Sequence, residues 1–235
     1  MSLQVCLNGS RHPDEHPGVP TTPQECARQA REAVLAGADD VHVHPRTADG
    51  RDSLVADDVA AWVEAVRAVV DVPVGVTTGA WAWTGGLARA DAVRVWHVRP
   101  DHASVNWHER DAAAVASALL AAGVDVNAGL WTAEAARDWL ASPVREGTGR
   151  VLLELADAPD QESEARALLD LVSVFDGPIL VHGEERSAWP MVALARALGL
   201  GARIGLEDVL VGPDGESVDG NTELVRCAAA VVSST

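Results

Sequence analysis

Along the chain, short unbroken runs of apolar residues alternate with longer stretches in which apolar positions recur every three or four residues. The short runs are LQVCLN (3–8), DDVHVHP (39–45), VPVGVTTG (72–79), HASVNW (102–107), VDVNAGLW (124–131), RVLLELAD (150–157), GPILVHG (177–183) and ARIGLED (202–208). Their β-branched content and length mark them as strands buried on both faces. Helical spacing covers 23–37, 57–70, 87–96, 111–122, 132–141, 161–174, 187–199 and 221–233. Eight strand-then-helix units in 235 residues predict parallel strands covered by helices, closed as a single (β/α)8 barrel domain over residues 1–235.

The punctuation agrees with this division. TTPQE offers Thr22 as a helix N-cap, Pro23 at the first helical position and Glu25 three residues after the cap. The stops LAGADD, AAGVDV and ALGLGARI each put a glycine between a helix and the next strand. Nothing in the chain reads as a linker or a low-complexity tract.

Several polar residues interrupt the apolar runs, and they fall near strand C-terminal ends, where barrels of this kind place function. Alternation along the second strand puts His42, His44 and Arg46 on one face. Two imidazoles ending one strand, with a carboxylate brought round by closure, supply three ligands for a divalent metal with an open position. The other reading is a pair of hydrogen-bonded core histidines. The eighth strand places Arg203 and Glu207 on one face, with Asp208 just beyond. A barrel-facing arginine demands a carboxylate partner, as a structural ion pair or as the group that keeps Asp208 ionised for base catalysis. Thr77, Thr78 and Gly79 in the third strand's glycine-rich turn, with Ser104 and Asn106 on the fourth strand, are candidate substrate-binding groups. His12, His16, His97, His102 and His108 are expected on the surface or in loops.

Composition narrows the chemistry. The formal net charge is -17, which argues against nucleic acid held through phosphates. All 18 cationic side chains are arginine, so a Schiff-base lysine, a lysine-anchored pyridoxal phosphate and a P-loop lysine are excluded. Cys6, Cys26 and Cys227 lie far apart without ligand spacing, suggesting a reducing compartment. No apolar run is long enough to suggest a membrane span, and a cytoplasmic location is expected.

The motifs CLNGS, HPGVPTTPQE, GADDVHVHPRTADGR, VTTG, ASVN and RIGLEDVL, in this order and spacing, resemble those of the β-keto acid cleavage enzymes, the 3-keto-5-aminohexanoate cleavage group, over most of the chain. The resemblance implies a zinc-dependent (β/α)8 barrel that converts a β-keto acid and acetyl-CoA into acetoacetate and a new acyl-CoA. It further implies His42, His44 and Glu207 as zinc ligands and Asp208 as the catalytic carboxylate supported by Arg203. Thr77 and Ser104 stand where the family holds substrate through hydroxyls. A homo-oligomer, dimer or tetramer, is expected.

Departures from the family pattern carry their own expectations. Arg11 stands where the family type has a glutamate suited to a substrate ammonium group, and it is expected to pair with an anionic far end, the other reading being a loop arginine bound to Glu15 or Asp14. VNAGLWTAEA after the fifth strand lacks the family's acidic residues, ADAPDQESEA after the sixth replaces a longer glycine-rich loop, and the usual C-terminal helical extension is expected to be missing. These differences leave open a metal-dependent aldolase or hydrolase acting on a keto acid without CoA, or a barrel that binds a metal or keto acid without turnover.

Overall fold

The structure, a computed structural model, describes residues 2–86, 88–158 and 161–233. Its eight strands are β1 (Leu3–Cys6), β2 (Asp40–Val43), β3 (Val74–Thr77), β4 (His102–Asn106), β5 (Asp125–Leu130), β6 (Thr148–Leu155), β7 (Ile179–Gly183) and β8 (Gly201–Ile204). All pair in parallel, each with its neighbour in sequence, and β8 returns to β1 through Gln4 opposite Arg203 to close the barrel. The helices follow in turn: α1 (Pro23–Ala36), α2 (Ala56–Arg67), α3 (Arg89–Arg94), α4 (Ala112–Ala121), α5 (Ala133–Ala141), α6 (Glu162–Leu171), α7 (Ala188–Leu198) and α8 (Asn221–Ser233). The closed barrel and its single domain match the architecture expected from the alternation.

Local sequence accounts for the ends. Thr22 Oγ1 accepts the Glu25 amide at 3.2 Å, and Pro23 opens α1. The Glu25 carboxylate reaches one residue further back than a capping box requires, taking the amide of Thr21 at 2.9 Å. Several helices are shorter than their apolar spacing suggests; α6, for one, stops at Leu171. α2 stops at Arg67, where the chain tightens into a Val69-to-Val66 turn, and α3 runs only from Arg89 to Arg94, residue 87 lying outside the described residues.

The hydrophobic core fills the shell between strands and helices. Trp62, Trp96 and Trp139 are buried there, and each indole N–H finds an oxygen: Arg46 O at 3.1 Å, Leu54 O at 3.0 Å and Thr148 Oγ1 at 3.0 Å. Inside the barrel, the floor is polar. Asp40 receives hydrogen bonds from Gln4 (2.9 Å), His102 (2.9 Å) and Arg150 (2.6 Å), and the other His102 nitrogen meets Asn127 at 2.9 Å. The His102 ring takes the space that a side chain on Gly75 would need.

His102 therefore belongs to the barrel interior and not to the surface or a loop as expected from sequence, while His16 lies in a loop as expected but is buried there, bonding Val218 O at 2.8 Å. His12, His97 and His108 are exposed as expected. No helix among the described residues is long and apolar enough to cross a membrane. Of the segment 156–165 that follows β6, residues 159–160 lie outside the described residues, as do 234–235 at the end of the chain.

Candidate active site

A cavity of about 640 Å³ opens at the C-terminal ends of the strands, walled by Thr77, Ser104, Asn106 and Trp131 on one side and by Arg11, Glu184 and Glu185 on another. His42, His44 and Glu207 come together within it, each offering a ligand atom within 4.8 Å of the others. β2 delivers the imidazoles, because alternation points His42 and His44 the same way. Glu207 does not sit on a strand. β8 ends at Ile204, and a turn closed by the Asp208 amide on Gly205 O (2.9 Å) brings the carboxylate back over the barrel. Gly9, at φ 53°, leaves the room that the Glu207 side chain occupies.

Arg46 does not join the imidazoles. β2 ends at Val43, and beyond it the arginine turns aside to donate to Gly9 O at 2.8 Å and Arg11 O at 2.6 Å. Its loop carries Asp52, whose carboxylate lies 3.2 Å from His44 Nδ1 and also accepts Ser10 Oγ (2.7 Å) and Trp81 Nε1 (2.8 Å). Fixing Nδ1 in this way leaves His44 Nε2 facing Glu207, 3.4 Å distant.

The electrostatics fit a cation. Burial pushes His42 well below its ordinary value, so its imidazole is neutral and free to ligate. Burial would do the same to His44, but Glu207 and Asp52 outweigh it and raise that imidazole to about 9. A proton there stands where a metal's charge would act. Burial opposes ionisation of Glu207 too, yet Arg203 and His44 hold it well below the carboxylate range. Glu207 Oε2 is buried with no hydrogen-bond partner, an orphaned acceptor on a carboxylate that stands beside two histidines. Two nitrogens, one carboxylate and an unsatisfied oxygen suit a divalent metal with an open position.

Arg203 binds Glu207 closely and reaches Asp208 through two contacts of 3.3 Å. Asp208 is 1% exposed and lies behind the cavity wall, 3.5 Å from His182 Nδ1. Thr77, Ser104, Asn106 and Arg11 line the cavity, whereas Thr78 and Gly79 stand behind it. Thr78 Oγ1 is committed to Ser104 O at 2.6 Å, and Gly79 donates its amide to Thr77 Oγ1 at 3.0 Å. Arg11 offers no free fork. Its Nη1 donates to Glu15 at 3.1 Å, Nη2 binds Glu185, and Nε donates to Glu207 O at 3.2 Å.

Some residues of the site escaped sequence reasoning. Asp52 lies in a polar turn with nothing to mark it. Arg89 opens α3 and ties the β3 and β4 loops together, through Thr78 O (2.7 Å), Glu109 and Asp111. Glu184 lines the cavity without a side-chain hydrogen bond among the described residues, and burial raises its carboxyl. Glu154 had a readable signal, being the one charge inside the run VLLELA.

Fold and site together define a (β/α)8 barrel with a potential metal centre at the end of the strands where such barrels work. A profile of the beta-keto acid cleavage enzymes matches residues 1–162 and 161–235, and the chain belongs to that family. Among solved structures it is similar to the 3-dehydroquinate dehydratase of Geobacillus kaustophilus HTA426 (TM-score 0.62, 14% identity, 99% of this chain and 90% of that one). It is also similar to the 3-dehydroquinate dehydratase of Aquifex aeolicus VF5 (0.59, 14%, 98% and 97%) and to a 3-hexulose-6-phosphate synthase (0.59, 15%, 97% and 99%). At these identities the likeness is one of fold alone.

Proposed function

We propose that the protein is a zinc-dependent β-keto acid cleavage enzyme that condenses a β-keto acid with acetyl-CoA and releases acetoacetate and a new acyl-CoA. The observation that carries this reading is the convergence of His42, His44 and Glu207 inside the cavity of a chain belonging to this family. Bound by those three side chains, zinc would act as a Lewis acid on the substrate's keto group and favour its enolate.

The protein's own groups do the rest. Thr77, Ser104 and Asn106 face the substrate and orient its carboxylate by hydrogen bonds. Thr78 and Gly79 act from behind, by holding Ser104 and Thr77 in place. Arg203 and Asp208 form the charged pair beneath the metal ligands on which removal of the C2 proton depends. Asp52 keeps His44 turned towards the centre.

Arg11 is neutralised by Glu15 and Glu185, and Glu184 stands beside them without a partner among the described residues. This acidic wall favours a substrate whose far end is neutral or cationic, in place of the anionic end that an arginine at this position suggests from sequence. The same wall would repel a polyanion entering beside it, which favours, as a second reading, a metal-dependent aldolase or hydrolase that works without CoA.

Mass spectrometry of products from a panel of cationic, neutral and anionic β-keto acids, with and without acetyl-CoA, tests both. Acetoacetate and a matching acyl-CoA from the intact protein, and none from His44→Ala, is the expected result. Cleavage without any CoA ester would select the second reading.

A further inference from the structure

The residue that resemblance assigns to proton transfer, Asp208, is not on the cavity wall, while another buried carboxylate is. Glu154, near the end of β6, is 4% exposed and lines the cavity. Its carboxylate has room because β5 carries Gly129, whose register partner is Leu152: a side chain there would overlap Glu154 Oε1 and crowd Asn106 Oδ1. Oε2 accepts from His182 Nε2 at 3.0 Å, while Oε1 has no hydrogen bond among the described residues. On its other side His182 Nδ1 lies 3.5 Å from Asp208 Oδ1, and both His182 Nδ1 and Asp208 Oδ2 are buried without a hydrogen-bond partner. From the cavity inward the order is therefore Glu154, His182 and Asp208, with Asp208 held in turn by Arg203, which itself reaches the cavity wall.

Such an arrangement is costly if it is only structural. Three buried titratable groups in a row, two of them carrying unsatisfied atoms, would be replaced by apolar side chains without loss. Burial and Arg203 both oppose a charge on His182, yet its contacts with Asp208 and Glu154 raise it to about 9, so the ring sits as a cation between two carboxylates. A fixed cation behind Glu154 holds the carboxylate in one rotamer with Oε1 towards the cavity.

We infer that Glu154 is a catalytic residue of this barrel, the carboxylate that exchanges a proton with C2 of the bound β-keto acid, and that His182 is the positioning residue that holds it. In the step, the C2–H bond breaks, the proton passes to Glu154 Oε1, and the electron pair stays on the substrate as its enolate. On reversal Oε1 returns a proton to carbon. His182 donates to Oε2 throughout, and Asp208, itself held by Arg203, fixes His182 from behind. This inference rests on the β-keto acid reading of the site.

Its test needs no acetyl-CoA. Metal-loaded protein is incubated with a β-keto acid in D₂O, and deuterium at C2 is followed by NMR alongside the substrate's Kd and the bound-metal content. The intact protein is expected to exchange C2 well above the buffer rate. Glu154→Gln should exchange about 10²-fold or more slowly, with metal content unchanged and Kd within a few-fold. His182→Gln and Gly129→Ala should also slow exchange at near-normal Kd, a split that a purely structural role would not give. Exchange by Glu154→Gln at the rate of the intact protein would overturn the inference alone. No exchange by the intact protein with any β-keto acid would overturn the inference together with the reading it rests on.

Discussion

The barrel interior holds two polar layers built from the same residue types, and they differ in one respect. At the floor, Asp40, His102, Arg150, Gln4 and Asn127 satisfy one another completely; none of their atoms is among the buried groups left without a partner. At the mouth, His182, Glu207 and Asp208 each keep an orphaned atom. A structural network closes on itself, because an unpaired buried polar group costs free energy for no return. One that leaves valences open holds them for a metal, a substrate or a proton. Buried histidine–carboxylate pairs alone do not locate a catalytic site; unsatisfied atoms clustered on neighbouring groups do, whereas the unpaired Ser142 Oγ at the end of α5 stands apart.

Substitutions can break this contrast from either end. The largest effect is expected from His44→Ala, which should lower turnover by at least about 10³-fold, equivalent to several kcal/mol of lost electrostatic stabilisation, and empty the metal site by elemental analysis. Its thermal midpoint without metal should hardly move. His102→Ala should do the reverse. It takes one of three donors from Asp40, which keeps Gln4 and Arg150, and leaves the Asn127 amide without its partner, at a cost of about 1–3 kcal/mol read by urea denaturation, while activity per folded molecule is retained.

Smaller effects sharpen the same division. Asp52→Ala should weaken metal affinity about 10–100-fold in a chelator competition, since His44 loses the group that orients it. At the floor, burial would raise the Asp40 carboxyl, but His102, Arg150 and Gln4 prevail and hold it at about 2, below the ordinary 3.8. A carboxyl depressed by folding stabilises the protein above its unfolded pKa and ceases to as the pH falls through the folded value. About 2 kcal/mol should therefore be lost between about pH 4 and pH 2, and Asp40→Asn should remove that part of the slope. Arg166→Ala, which breaks an exposed pair with Glu162, should change stability by no more than about 0.5 kcal/mol.

The fold was legible because period and punctuation are local. Eight apolar runs, a Thr22–Pro23 start and glycine stops settle strands, helices and closure with no knowledge of distant contacts. The convergence of His42, His44 and Glu207, a group that could hold a metal, was legible for a mixed reason: the imidazoles share a strand face by alternation, but Glu207 was expected on a strand and arrives through a turn. Contacts that depend on loop conformation were not. Asp52 meets His44 only because its loop folds back, and Arg11, expected to pair with an anionic substrate end or with Glu15 or Asp14, is occupied by Glu15 and also by Glu185 from a distant segment. His102 was misplaced because one strand cannot show that Gly75 on its neighbour makes room for a ring.

The seam of the barrel, where β8 returns to β1, carries a consequence for how the molecule is made. The imidazoles come from the second strand and the carboxylate from just past the last, so the centre straddles that seam. A chain still on the ribosome can present the histidines early but completes the trio only when its final strand has docked. Metal capture would then report that the ring has closed, and it would hold shut the joint that forms last.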